Sequence, residues 1–225
     1  MAGLFVYMMS RPRNILLSTA YFAPVSYYSR LIEKDTVPVI ERHEHYNKQS
    51  YRNRCTIYSA NGLLDLTVPV VRSVAPKCPV TDVRISYDTP WQKLHYKAIE
   101  SAYRRSPFYE YYIDDLLPFF NRHDTFLYDF NMKILESTCR MLSIPFRIQE
   151  SSSYIRSSPG TEDLRDKIHP KKRNDSFRAQ KYVQVFDQKM GFQPDLSIID
   201  LIFNEGPQSI DYLATETCKN ITPIH

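Results

Sequence analysis

Several side chains in this chain are of the types that do chemistry. Glu41, His43 and His45 alternate at the end of a segment that reads as extended. Alternate positions on such a segment point to one side, so the trio presents two imidazoles and a carboxylate to a substrate or a metal. The competing reading is a solvated loop, and with no third distant ligand in evidence no metal is assigned. His95 falls on the inward side of a helical pattern with Trp91. A neutral imidazole there serves as an acid or base, or simply as a satisfied core histidine. Asp200 interrupts the apolar run 196–203, where a carboxylate is costly to bury unless paired. It either faces a cleft, as the group that orients His95, or turns to solvent.

Asn53 and Arg54 end a basic, aromatic loop at 48–54. Arginine there forms a two-pronged pair with a carboxylate or phosphate, unless both residues only cap a turn. Lys171, Lys172 and Arg173 are the densest basic run. They suit closure over an anionic ligand, against the plainer reading of a solvated surface. His43, His45, Asn53, Arg54, Lys171, Lys172 and Arg173 are thus the candidate substrate contacts, with His95 and Asp200 as the candidate catalytic pair.

Several familiar chemistries are excluded. The five glycines, at 3, 62, 160, 191 and 206, are too dispersed for G-x-G-x-x-G or a P-loop, both of which bring clustered backbone N–H groups onto phosphate. No G-x-S-x-G elbow or H-E-x-x-H helix occurs, and no cofactor is assigned. Cys55, Cys78, Cys139 and Cys218 form no C-x-x-C pair and read as reduced cytoplasmic thiols. A net charge of +4 makes a duplex-DNA partner unlikely and leaves room for a small anionic one. The seventeen tyrosines keep RNA stacking as a minor option, with packing as the commoner use. The apolar run 4–9 is too short to span a bilayer and is followed, rather than preceded, by Arg11 and Arg13.

These residues need elements to position them. Residues 14–19 read as a buried strand, 27–34 as a helix and 36–41 as a second strand, a βαβ-sized opening that predicts parallel pairing. Residues 54–59 and 63–71 flank Asn61-Gly62, a hairpin turn dipeptide, which makes the expected sheet mixed. Thr89, Pro90 and Gln92 predict a capping box at the start of a helix to about 104. Further helices are predicted at 109–120, from 124 to a stop at Ser143 and Pro145, at 177–189, 197–203 and 207–213. A short strand is expected at 146–149, and the polar stretch 151–176 reads as a long loop or lid. The expectation is an α/β single domain over 14–213, its mixed sheet covered by helices, between tails at 1–13 and 214–225.

Separated stretches also carry a resemblance. Ser18-Thr-Ala-Tyr-Phe-Ala-Pro24, Tyr51-Arg-Asn-Arg54, Leu66-Thr-Val-Pro69, Trp91 with His95, and Ser106-Pro-Phe-Tyr109 resemble the WbqC-like protein family in order and spacing. Tyr182-Val-Gln-Val-Phe186, the run Gly191 to Asp200 and Phe203-Asn-Glu-Gly-Pro207 continue it. Ser18-Thr19-Ala20 stands where the resemblance leads one to expect a Gln-Pro pair. The resemblance implies a bacterial cytosolic protein associated with O-antigen or other surface-polysaccharide biosynthesis. It points to an enzyme that transfers an acyl or aminoacyl group to an amino-sugar nucleotide at a cleft beyond the first strands. The alternative is a non-catalytic accessory protein of a cell-envelope pathway.

Overall fold

The computed structural model describes residues 13–71, 77–156, 160–172 and 177–219. Residues 1–12 of the expected N-terminal tail, residues 220–225 of the C-terminal one, and Arg173 lie outside them. Strand β1 (Arg13–Leu17) is followed by helix α1 (Val25–Leu31) and strand β2 (Thr36–Ile40). β1 and β2 pair in parallel from Arg13 opposite Thr36 to Leu17 opposite Ile40, the predicted βαβ opening. Ile15, Leu16 and Leu17 are buried as a continuous apolar run, the pattern of a strand covered on both faces. Two short strands complete the sheet: β5 (Gln149–Glu150) on β2 and β6 (Thr161–Asp163) on β1, both parallel. The order is β5-β2-β1-β6. β5 reaches only Val39 and Ile40, so Pro38, which has no N–H to donate, is tolerated within β2.

The expected mixed sheet divides into two. β3 (Arg54–Ser59) and β4 (Gly62–Thr67) form the predicted hairpin, with Gly62 at φ 104° in its turn, yet they make a separate two-stranded sheet. The inward face of β3 packs on helices and leaves the four-stranded sheet wholly parallel. The polar stretch 151–176 is also more than a loop, since β6 lies within it and closes the free side of β1.

Around these sheets pack α2 (Trp91–Tyr103), α3 (Tyr109–Asn121), α4 (Leu127–Met141), α5 (Asp187–Met190), α6 (Ile198–Glu205) and α7 (Ser209–Lys219). The expected capping box at α2 does not form. Thr89 offers its carbonyl to the N–H of Trp91, while Gln92 turns sideways and donates to the carbonyls of Phe119 and Arg122. It thereby satisfies acceptors that the end of α3 leaves open. The helix predicted at 177–189 is reduced to α5. Lys181 to Val185 instead alternates outward and inward, with Tyr182 and Gln184 buried and Val183 exposed. A period of two with β-branched residues favours an extended chain, and the Gln184 amide fixes it by bonding the backbone of Gln193 in both directions.

Aromatic side chains fill the centre: Phe22 packs on Phe119 and Phe120, and Phe130 meets Tyr21, Trp91 and Phe119. Gly206 ends α6 at φ 54°, and a Cβ there would meet the Phe108 ring at 2.5 Å. Gly206→Ala is therefore expected to cost about 1–3 kcal/mol, from overpacking added to left-handed strain, read as a lower urea midpoint with an unchanged slope.

Candidate functional site

Because the four strands of the larger sheet run in parallel, their carboxyl ends share one edge. Ser18, Glu41, Ser151 and the Leu164-Arg165 pair are the first residues past β1, β2, β5 and β6. Hydrogen bonds carry the ladder one step further: Glu41 N–H to Leu17, Ser151 N–H to Ile40 and Leu164 N–H to Leu16. The chain leaves β1 for β2 on one side, and β6 lies on the other, so this edge is where the strand order reverses. Open parallel sheets bind ligands at such a place.

The segment 41–53 folds back over the edge and is tied to it by buried charge. Arg52 donates from Nε to Glu44 Oε1 at 2.8 Å and from Nη2 to Glu44 Oε2 at 2.5 Å, a two-pronged pair with both side chains almost fully buried. The same Nη2 donates to Ser18 Oγ at 2.7 Å, and Ser18 Oγ lies 3.2 Å from Glu44 Oε2. Burial holds the Glu44 carboxyl above its ordinary range and outweighs the opposing pull of Arg52. Glu41 is fully enclosed and accepts from His43 N–H and Ser151 Oγ on one oxygen and from Ile155 N–H on the other, each at 2.7 Å. Arg165 binds Asp163 through Nε and Nη2, at 3.0 and 2.6 Å, and lies over the Tyr154 ring. That ion pair lowers the Asp163 pKa and raises that of Arg165.

Between these groups runs a narrow cleft lined by Ser18, Thr19, Tyr27, Tyr51, Arg52 and Arg165. Thr19 is buried, and its hydroxyl has no hydrogen-bond partner among the described residues. A group of this kind is a donor and acceptor left ready for something that enters.

The candidate residues from the sequence divide. His43 and His45 are exposed on the 41–53 segment, and the Lys171 ammonium bonds Gln49 of that segment. Lys172 is exposed beside Lys171 and donates to the carbonyl of Asp166, so these four stand on the segments that border the edge. Asn53 instead ties the base of the hairpin, its amide donating to the Val68 carbonyl, and Arg54 pairs with Asp65 across it. His95 is buried beside Tyr21, whose hydroxyl lies 2.9 Å from Nδ1, and it meets Trp91 edge-on. Its other nitrogen can only donate to the Thr67 carbonyl, which leaves Nδ1 as acceptor in the neutral ring. Asp200 takes the Tyr182 hydroxyl at 2.6 Å and the Gln184 amide at 3.0 Å on one oxygen, with the Tyr103 hydroxyl nearby. The partners of His95 and those of Asp200 are different residues, so the orienting bond expected between them is not formed.

Ser18, Glu44, Arg52 and Arg165 were not singled out from the sequence. Ser18 and Arg52 stand inside two of the stretches that carry the family resemblance. Glu44 and Arg52, eight residues apart in a polar segment without period, give no local signal of their pairing.

The protein belongs to the WbqC-like protein family, whose pattern matches residues 20–169. It is 28% identical over 193 residues to a protein of Mycobacterium tuberculosis (strain ATCC 25618 / H37Rv) named "Uncharacterized protein Rv1507c", across 75% of this chain and 83% of the relative. No solved structure matches. Among the described residues no group of three metal-ligating side chains is assembled, and no helix is long and apolar enough to cross a membrane.

Two stability profiles follow. Burial lowers the His95 pKa to about 4 from an ordinary 6.5. Below pH 6.5 the unfolded chain takes a proton that the folded chain refuses, so stability is lost progressively down to about pH 4, by on the order of 3 kcal/mol. His95→Gln is expected to flatten that loss in urea titrations between pH 7 and 4.5. Asp200 runs the other way. Burial raises it to about 6, so its folded state holds a proton more tightly and stability falls as pH rises from about 4 to 6. Asp200→Asn is expected to be more stable than the parent at pH 8, by up to about 3 kcal/mol, with the gap closing toward pH 4. A variant destabilised equally at both pH values would contradict this.

Proposed function

We propose that the protein is a transferase acting on an activated sugar, moving an acyl or aminoacyl group to an amino-sugar nucleotide in the cytoplasmic assembly of a bacterial surface polysaccharide. The reaction takes place at the carboxyl edge of the parallel sheet. The observation that carries this reading is the buried Arg52–Glu44 pair held against Ser18 and opening on a cleft with an unpartnered Thr19 hydroxyl. Buried charge is expensive, and its concentration at the edge where open α/β sheets bind ligands supports reading this place as a working site. The polysaccharide context is what the resemblance to the WbqC-like family implies, and the family match over residues 20–169 supports the resemblance itself. The exposed His43, His45, Lys171 and Lys172 supply donors and positive charge for a nucleotide diphosphate, and Arg173 extends the same run. Asn53, Arg54 and Asp200 act as supports of the fold in this reading, and His95 holds the segment that follows β1 through Tyr21.

A thermal-shift panel of nucleotide sugars and acyl donors tests it. A bound ligand at 100 times its Kd stabilises by about 2.7 kcal/mol. A nucleotide sugar is expected to raise the melting temperature selectively. Lys171→Ala with Lys172→Ala is expected to weaken that binding several-fold at low salt and less at high salt. No shift from any nucleotide sugar would overturn the reading and favour the accessory-protein alternative.

A further inference from the structure

Resting on that transferase reading, we propose that Ser18 carries the transferred group: its Oγ takes an acyl group from a thioester donor and passes it to the amine of the acceptor sugar. Ser18 is the first residue beyond β1, and the chain turns through Phe22 at φ 40° before α1 begins at Val25. This strand–turn–helix setting presents the side chain at the cleft.

Arg52 donates to Ser18 Oγ at 2.7 Å, which favours the alkoxide over the alcohol. Glu44 Oε2, at 3.2 Å, is the carboxylate placed to accept the hydroxyl proton, and its enclosure makes it a stronger base than a solvated carboxylate. In the first half-reaction the Oγ–carbon bond forms, the carbon–sulfur bond breaks with its electron pair on sulfur, and the proton taken by Glu44 passes to that sulfur. In the second, the amine nitrogen attacks the ester carbonyl and the carbon–Oγ bond breaks. The amine proton then returns through Glu44 to Ser18. Thr19 lines the same cleft, and its hydroxyl, without a partner among the described residues, is assigned to donate to the oxyanion formed in each half. The void beside Ser18 holds about one water molecule, less than any acyl group needs, so its lining must give on acylation and gives least for a group of acetyl or glycyl size.

Intact-mass spectrometry after incubation with acetyl, glycyl and octanoyl thioesters of N-acetylcysteamine tests the step. The expected result is one acyl group added from the two small donors and none from octanoyl, released by hydroxylamine and mapped to Ser18 by peptide sequencing of the unaltered protein. Labelling is expected to speed up as pH rises and Glu44 ionises, to disappear in Ser18→Ala, and to return as a thioester in Ser18→Cys. Glu44→Gln is expected to slow it by at least tenfold while the Ser152→Ala surface control labels normally. An adduct elsewhere, or no adduct while a nucleotide sugar still raises the melting temperature, overturns the Ser18 step and leaves the transferase reading standing. No adduct and no nucleotide-sugar shift overturns both.

Discussion

The ion pair between Arg52 and Glu44 is the interaction on which the rest of the carboxyl edge depends. A lone buried guanidinium or carboxylate is strongly disfavoured, so neither partner can stay in place without the other. Together they fix both ends of the segment that crosses the strand ends. The consequences spread outward through the backbone. Arg52 offers its carbonyl to Asn131 of α4, Val80 donates its N–H to the carbonyl of Glu44, and Tyr21 donates to the carbonyl of Tyr51. The segment after β1, the segment after β2 and helix α4 are thus referred to one buried charge pair.

The remaining strand ends follow the same rule with different partners. Glu41 uses both oxygens to bind the segments beyond β2 and β5, and Arg165 returns to Asp163 at the end of β6. Polar groups at the end of a sheet must be satisfied by water or by one another. Here they largely satisfy one another, and the result is a charged, hydrogen-bonded floor in which the Thr19 hydroxyl has no partner among the described residues. Flexible basic side chains on the 41–53 and 164–172 segments border that floor, which suits capture of an anion followed by chemistry on a fixed surface.

Much of the architecture was legible in the sequence because it is carried by local periodicity. The apolar run before Ser18, the run with Val37, Val39 and Ile40, and the Asn61-Gly62 turn each determine an element whatever lies far away in the chain. What escaped depends on remote partners. β6 is three polar residues that become a strand only because β1 has a free side, and the hairpin is detached from the sheet by helices that follow it. The same distinction governs the candidate site. His43, His45, Lys171 and Lys172 attract notice because they cluster in sequence, whereas Ser18, Glu44 and Arg52 are made significant by distances of 2.5 to 3.2 Å between residues up to 34 positions apart. His95 and Asp200 were conspicuous for being polar in apolar patterns, and burial among hydrogen-bonding partners accounts for each.

Stability alone does not explain the pair at the centre. A well-packed apolar replacement of similar volume commonly holds a segment as firmly as a buried ion pair, or more firmly. Glu44 illustrates the cost, since its carboxyl stays above the ordinary range even with a guanidinium bound to both oxygens. An ionic solution brings something an apolar one lacks: a fixed positive donor and a fixed base, both within hydrogen-bond reach of one hydroxyl. The carboxyl edge of a parallel sheet can supply that arrangement because each strand delivers its last residue to the same line. In this protein the line carries Ser18 at the point where the strand order turns, so the position that the sheet topology singles out and the hydroxyl that Arg52 and Glu44 both reach are the same residue.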